Sequence, residues 1–512
     1  MKKLLLKGSI GVFVLATGLS FAACGGGQTG DSQTPSLEYA LVEDGYAVVG
    51  MGTYEEGILN IPSTYKGKPV TTIGEEAFLY EAEIGIVNIP DSVKRIEKKA
   101  FYNCPNLTQV SIGKNVKTIA DSAFADCNNI IEITDLDSVE YIGAEAFREC
   151  LMLNSVEFSN ALKTVANGAF KECVRLKDVR FGNQLEWIGE SAFEGCKLLG
   201  ALEIPDGAPT DIMSKAFLNC ESLEYVWLGN SVTSIGASAF ESCGAMREVV
   251  LGDGVITVGS RAFATCRKMY KITLGSSLYS IGGSAFEKCW LLREVYNRSS
   301  IAVSAGAEDS GGVGFYAFYI RKGNEPTRIS KDENGLVYYT DDAKGEKKLV
   351  TVEFEKSGPL VVPDDVTEIA PYACYNMQEI TSVYIGDGCK IIGESAFRNT
   401  YQISELNLGE NLEEIGDYAF RYNGYTTAPV IGKNLKKVGI QTFLKKVGDR
   451  YYRPFQTVYY EGTEAEWSAI SFAEGNADLL SASVRIAYYL AEEPTSSGLY
   501  WRYVDGKPTL WV

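Results

Sequence analysis

Apolar and polar positions along this chain recur with a period of 23 residues. One period reads Leu-x-x-Val-x-Ile-Gly-x-x-Val-x-x-Ile-Gly-x-x-Ala-Phe-x-x-Cys, and the chain holds about fourteen of them. The Phe of Ala-Phe is the firmest letter. It stands at Phe78, Phe101, Phe124, Phe147, Phe170 and Phe193, then after one step of 24 at Phe217, Phe240, Phe263 and Phe286, and again at Phe397, Phe420 and Phe443. A fixed period of this length predicts a solenoid, because one turn cannot bury its own apolar face and must stack on its neighbours. Within a turn, Leu107 to Gly113 ends in period-2 alternation, which predicts a short strand with one buried side. Gly113 turns the chain, Val116 to Ile119 is a second extended piece, and Asp121 to Phe124 leads round to Cys127. Strands stacked at about 4.8 Å would make a rod of roughly 65 to 70 Å.

The places where the pattern fails divide the chain. Residues 1–23 read as an export signal, with Lys2, Lys3 and Lys7 ahead of an apolar run from Ile10 to Ala23. That run falls short of the about 20 residues that cross a bilayer comfortably. Phe21-Ala22-Ala23-Cys24 before three glycines resembles a bacterial lipoprotein signal, which implies lipidation of Cys24; ordinary cleavage at Ser20-Phe21-Ala22 would release a free product instead. Residues 24–36 form a flexible tether and 37–75 a first cap, where Asp44-Gly45 predicts a hairpin. Repeats fill 76–296 and 363–447. Between them, 297–362 reads as an insertion: Ala317-Phe318 arrives 32 residues after Phe286, and Leu336 to Tyr339 with Lys348 to Phe354 predicts a hairpin. Residues 448–512 form a second cap, with a capping box at Thr463 to Glu466 opening a short helix that includes Trp467 and Ile470, and a final hairpin from Trp501 to Trp511.

Composition narrows the function. A formal charge of −18 argues against nucleic acid as a partner. The chain has no histidine, which removes the commonest general base and the usual imidazole metal ligands. No phosphate loop or nucleophile elbow appears, so no enzyme and no cofactor is expected. Of twelve cysteines, nine stand three residues after a repeat Phe, from Cys104 to Cys289; Cys374 replaces a Phe and Cys389 a Val. Thr400 and Asn423 occupy the same column later, so the site takes small side chains, and buried free thiols are expected although stacked neighbours would lie within disulfide reach. One column of identical groups cannot surround a metal ion tetrahedrally.

Ala-Phe-x-x-Cys-x-x-Leu-x-x-Val-x-Ile followed by Val-x-x-Ile-Gly resembles the BspA-like, treponemal-type class of bacterial leucine-rich repeats, over about Thr72 to Val447 apart from the insertion. The resemblance implies a leucine-rich-repeat solenoid with a parallel concave sheet, displayed on the cell surface and serving adhesion or contact with other cells or a host. On such a sheet the residues between the buried strand positions face outward. Tyr225, Trp227 and Val250 would then form an exposed patch rimmed by Arg180, Glu203 and Glu248. Aromatic centres with charged rims suit a protein ligand first and a sugar second. The basic run Lys433, Lys436, Lys437, Lys445, Lys446, Arg450 and Arg453, offset by Asp449, could meet anionic wall polymers or simply be a solvated face. The sequence thus describes a lipid-anchored protein on the outer face of a bacterial membrane that binds a macromolecule, with a glycan-recognition or uptake accessory lipoprotein as the alternative. It leaves the ligand and the oligomeric state open.

Overall fold

The computed structural model describes residues 37–53, 57–353, 357–424, 429–447, 450–452, 457–476, 484–495, 497–505 and 507–511. Cys24, the export signal and the tether lie outside them. Each turn of the first array bonds to the next along three lines. Gln109–Ser111 lies in parallel between Ile86–Asn88 and Glu132–Thr134. Thr118–Ile119 lies between Arg95–Ile96 and Tyr141–Ile142. In the third line, which sequence periodicity does not show, the Phe101 N–H bonds to the Ala123 carbonyl and the Phe124 N–H to that of Ala146, both at 2.7 Å.

The two-residue strands of Val-x-x-Ile build the longer sheet, 13 strands from the cap hairpin to Ser280–Ile281. The Leu-x-x-Val-x-Ile strands form shorter sheets of four, two and six. The single 24-residue step places its extra residue in the loop from Pro205 to Pro209, so Trp187 still pairs with Asp211 and Glu203 with Trp227. Inside, the Phe rings from Phe78 to Phe286 stack face to face at 4.9 to 5.3 Å and are fully buried. Stacked turns approach closely: a Cβ on Gly236 would meet the Ser214 nitrogen at 2.4 Å.

Ala317-Phe318 is not a delayed rung of this stack. The Phe286 N–H bonds instead to the Gly311 carbonyl, and the stack ends there. Phe318 opens the strand Tyr319–Arg321, which extends the concave ladder beside Glu294–Asn297. The hairpin expected beyond it is present, and it does more than interrupt the array. Leu336–Asp341 pairs antiparallel with Glu346–Val352, which then runs parallel to Glu368–Ile369. The first cap has the same plan: Glu38–Val42 pairs antiparallel with Gly45–Gly50, which runs parallel to Lys68–Ile73. The hairpin therefore opens a second array with its own core. One core runs from Leu37 to Ala317 and the other from Leu336 to Val484. A small cluster of Tyr270, Val337, Tyr339 and Val350 lies between them.

In the second array Cys374 takes the place of a Phe as its spacing implies, its N–H bonding to the Ala396 carbonyl at 2.7 Å. Thr463 and Glu466 form the capping box of a helix at Glu464–Ser468; Ile470 follows its end and is buried. The array closes on the antiparallel pair Tyr500–Val504 and Lys507–Leu510, with Trp501 fully buried and its Nε1 donating to the Tyr460 carbonyl at 2.9 Å.

Candidate binding surface

Four parallel strands, Ala201–Ile204, Tyr225–Leu228, Glu248–Val250 and Lys271–Leu274, carry the predicted patch. Alternation sends Leu202, Val226, Val249 and Ile272 into the core and their neighbours outward. Register aligns Glu203, Trp227 and Val250 across the sheet, and Ala201, Tyr225 and Glu248 two residues earlier. Tyr225 is 47% exposed and Trp227 39%, both large for aromatic side chains on a paired strand. The sheet thus brings together five of the six predicted residues.

Arg180 is the sixth, one rung before Glu203. Its strand, Asp178–Arg180, pairs with Ser155–Glu157 and lies beside Ala201–Ile204, where the Gly200 N–H bonds to the Lys177 carbonyl, and its guanidinium lies 3.7 Å from Glu157. Glu248 is engaged as well: it accepts from the Tyr270 hydroxyl at 2.8 Å and lies 3.7 Å from the Lys271 ammonium. Burial, with the Glu248 carboxylate beside it, pushes the Tyr270 phenol well above its ordinary range. Among the predicted rim charges, Glu203 is exposed on the face itself.

The hairpin of the second array walls one end of the patch. Tyr270 packs on Val337, Tyr339 and Val350, and Arg247 spans Glu224 at 3.6 Å and Glu353 at 3.2 Å. Glu353 also holds Lys331 at 2.9 Å and, with a weaker contribution from Tyr225, raises that ammonium above its ordinary value. The surface is therefore a strip of exposed aromatics ending against a charged wall.

A second exposed aromatic pair was missed. Tyr141 and Trp187, 39% and 38% exposed, flank Thr164 on the 13-stranded sheet, two rungs or about 9.6 Å apart. The signal lay in the variable letters of Val-x-x-Ile, whose outward column the Leu-x-x-Val-x-Ile reading leaves aside. The basic run, by contrast, is partly neutralised. Lys436 and Lys437 form ion pairs with Glu413 and Glu414 of the preceding turn. Lys445–Val447 and Arg450–Tyr452 form a short antiparallel pair, while Asp449 and Arg453 lie outside the described residues. Among the described residues no group of three or more Cys, Asp or Glu could hold a metal ion.

The model of the BspA type leucine rich repeat region matches this chain in six copies, over residues 71–200, 188–305 and 355–448. No curated protein matches it. Solved structures similar to it include a leucine-rich repeat protein from Bacteroides ovatus, 21% identical, covering 87% of this chain and 99% of that one with a TM-score of 0.44. A leucine rich cell surface protein from Faecalibacterium prausnitzii is 20% identical, covering 86% and 97%, with a TM-score of 0.30. A leucine-rich repeat protein from T. pallidum is 21% identical, covering 42% and 91%, with a TM-score of 0.32. With the family model matched over more than half its length, the chain belongs to the BspA-type leucine-rich repeat proteins.

Proposed function

We propose that this protein is displayed on the outer face of a bacterial membrane, anchored by a lipid on Cys24, and binds a protein ligand on the sheet around Tyr225 and Trp227. The observation that carries the reading is the alignment of Tyr225 and Trp227 with Glu203, Glu248 and Val250 on one solvent-facing sheet, closed at one end by the hairpin. Aromatic side chains of this kind carry much of the energy at protein interfaces. Catalysis has no part in this reading, because a repeat surface of this family supplies a scaffold for binding. A glycan is the second reading. Tyr225 and Trp227 lie on one face of one strand, about 6.6 Å apart along it, a platform on which a sugar ring can stack.

A pull-down from host matrix or neighbouring cells, run beside a glycan array, identifies the ligand class. A Tyr225→Ala, Trp227→Ala double variant should then lose about 100-fold in affinity for the captured ligand. Wild-type affinity in that variant would end the assignment of the site.

A further inference from the structure

Where the two arrays meet, a cavity of about 110 Å³ opens between the last turns of the first and the first turns of the second. Leu291, Val352 and Met377 give it an apolar wall, all three buried. Trp290 and Tyr372 give it an aromatic one, their rings stacked at 4.9 Å across the junction. Its polar lining is cationic. Arg247, Arg267 and Lys268 face it with one carboxylate of the lining, Glu353, while Glu224 lies just outside it beside Arg247 and acts on Lys268. The Glu353 carboxylate is already shared between Arg247 and Lys331. The Arg267 guanidinium lies over the Trp290 ring at 5.2 Å, at the exposed edge of the cavity. In a chain with a net charge of −18, such a concentration of positive charge against apolar walls is a local inversion. Pockets at the junctions of folded units, apolar with a few convergent polar groups, are where small ligands bind.

We propose that this junction cavity binds a small organic acid, its carboxylate between Arg267 and Lys268 and its apolar body against Leu291, Val352 and Met377. The volume sets the size: an engineered apolar cavity of about 150 Å³ takes one benzene molecule, so an apolar body of about four carbons is the limit for about 110 Å³. Burial, and after it the charge of Arg247, pull the Lys268 ammonium down to about 8. A carboxylate beside it would stabilise the charged form, so binding and protonation favour each other. Guanidinium and carboxylate also match in geometry, which an amide of the same shape cannot reproduce. The cavity shares Arg247, Tyr270 and Glu353 with the wall of the patch but not Tyr225 or Trp227, so the two assignments are tested by different variants.

The test is calorimetric titration of the intact chain at neutral pH with 3-methylbutanoate and with its neutral amide. The acid should bind at least about tenfold more tightly than the amide. Arg267→Ala and Lys268→Met should each weaken the acid about fivefold or more, with the amide unaffected, which also reports that the cavity is intact. The Tyr225→Ala, Trp227→Ala variant should bind the acid as the wild type does. Equal affinity for acid and amide, unchanged acid binding in both cationic-site variants, or no binding of the acid up to about 10 mM would each overturn the proposal.

Discussion

Thr265 has φ 61°, in the left-handed region that a β-branched side chain occupies at a cost. Its position is one of a pair that recurs through the repeats: the residues two before and two after the stacked Phe turn left-handed, as Ser122 and Asp126 do around Phe124. Asn103, Asn219, Asn376 and Asn399 fill the later of these positions, where Asn is tolerated best after Gly. Thr265→Asn should therefore raise stability by about 1 kcal/mol, read as a shift in the urea midpoint with no change in slope. The cysteine column has a different logic. Each thiol from Cys104 to Cys289 donates to the carbonyl of the preceding turn's Phe, as Cys127 does to Phe101 at 2.9 Å and Cys150 to Phe124 at 3.4 Å. Thr400 places its hydroxyl against the carbonyl of Phe397 in its own turn instead, and Asn423 accepts from Thr400, so the column fixes a small volume and satisfies its polar atoms in more than one way. Burial pushes the thiols of Cys150, Cys173, Cys196, Cys220 and Cys266 well up and that of Cys289 to about 12, which keeps these protonated and unreactive. All eleven cysteines from Cys104 to Cys389 are free and buried. Titration with a thiol reagent should find them silent in the native protein and all eleven reactive after denaturation without reductant; a shortfall would mean bridges.

At the scale of elements, the Phe stack holds one turn to the next. Phe170 lies between Phe147 at 5.1 Å and Phe193 at 5.2 Å, fully buried. Phe170→Ala should cost about 3 to 5 kcal/mol, with the loss confined to the unfolding of the first array. This ladder was legible in the sequence because each rung is apolar and its spacing fixed. The cap hairpins were legible too, through Asp44-Gly45 and the turn after Asp341. What the hairpin at 336–352 does was not, because its role depends on Leu349 pairing with Ile369, and pattern alone does not reveal which strand lies beside which. Phe318 misleads for the same reason: the letters Ala-Phe are right, but its N–H bonds to the Arg293 carbonyl at the head of a concave strand. In the candidate site, period-2 alternation correctly turned Tyr225 and Trp227 outward. The partners of the rim charges escaped it, since Arg180 finds Glu157 one turn back and Glu248 finds Tyr270 and Lys271 of the next turn.

The described residues form two main cores, and what joins them is small: the cluster of Tyr270, Val337, Tyr339 and Val350 with a few polar and aromatic contacts. Arg293 is the central pin, fully buried, donating to the carbonyls of Trp290 at 2.6 Å and Tyr316 at 3.1 Å within its own array and to that of Pro371 at 2.8 Å in the next. Around it stand the Trp290–Tyr372 stack and the Arg247–Glu353 pair. Solenoid stability is close to a sum of turns and nearest-neighbour contacts, and cooperativity falls where the contact between neighbours is weakest. Unfolding should therefore occur in two steps. Tryptophan reports them separately, since Trp187, Trp227 and Trp290 belong to the first array and Trp467, Trp501 and Trp511 to the second and its cap. Replacing the latter three by Phe leaves a signal from the first array alone. Arg293→Met keeps the apolar stem of the side chain but strands the carbonyls it served, at about 1 to 3 kcal/mol for each one left buried and unpaired. The first array, which loses two of those bonds, should move to lower denaturant by the larger amount, and the two steps should separate or merge accordingly. A single calorimetric transition with equal van't Hoff and measured enthalpies, in both wild type and Arg293→Met, would show instead that the junction transmits folding as well as any turn of the stack.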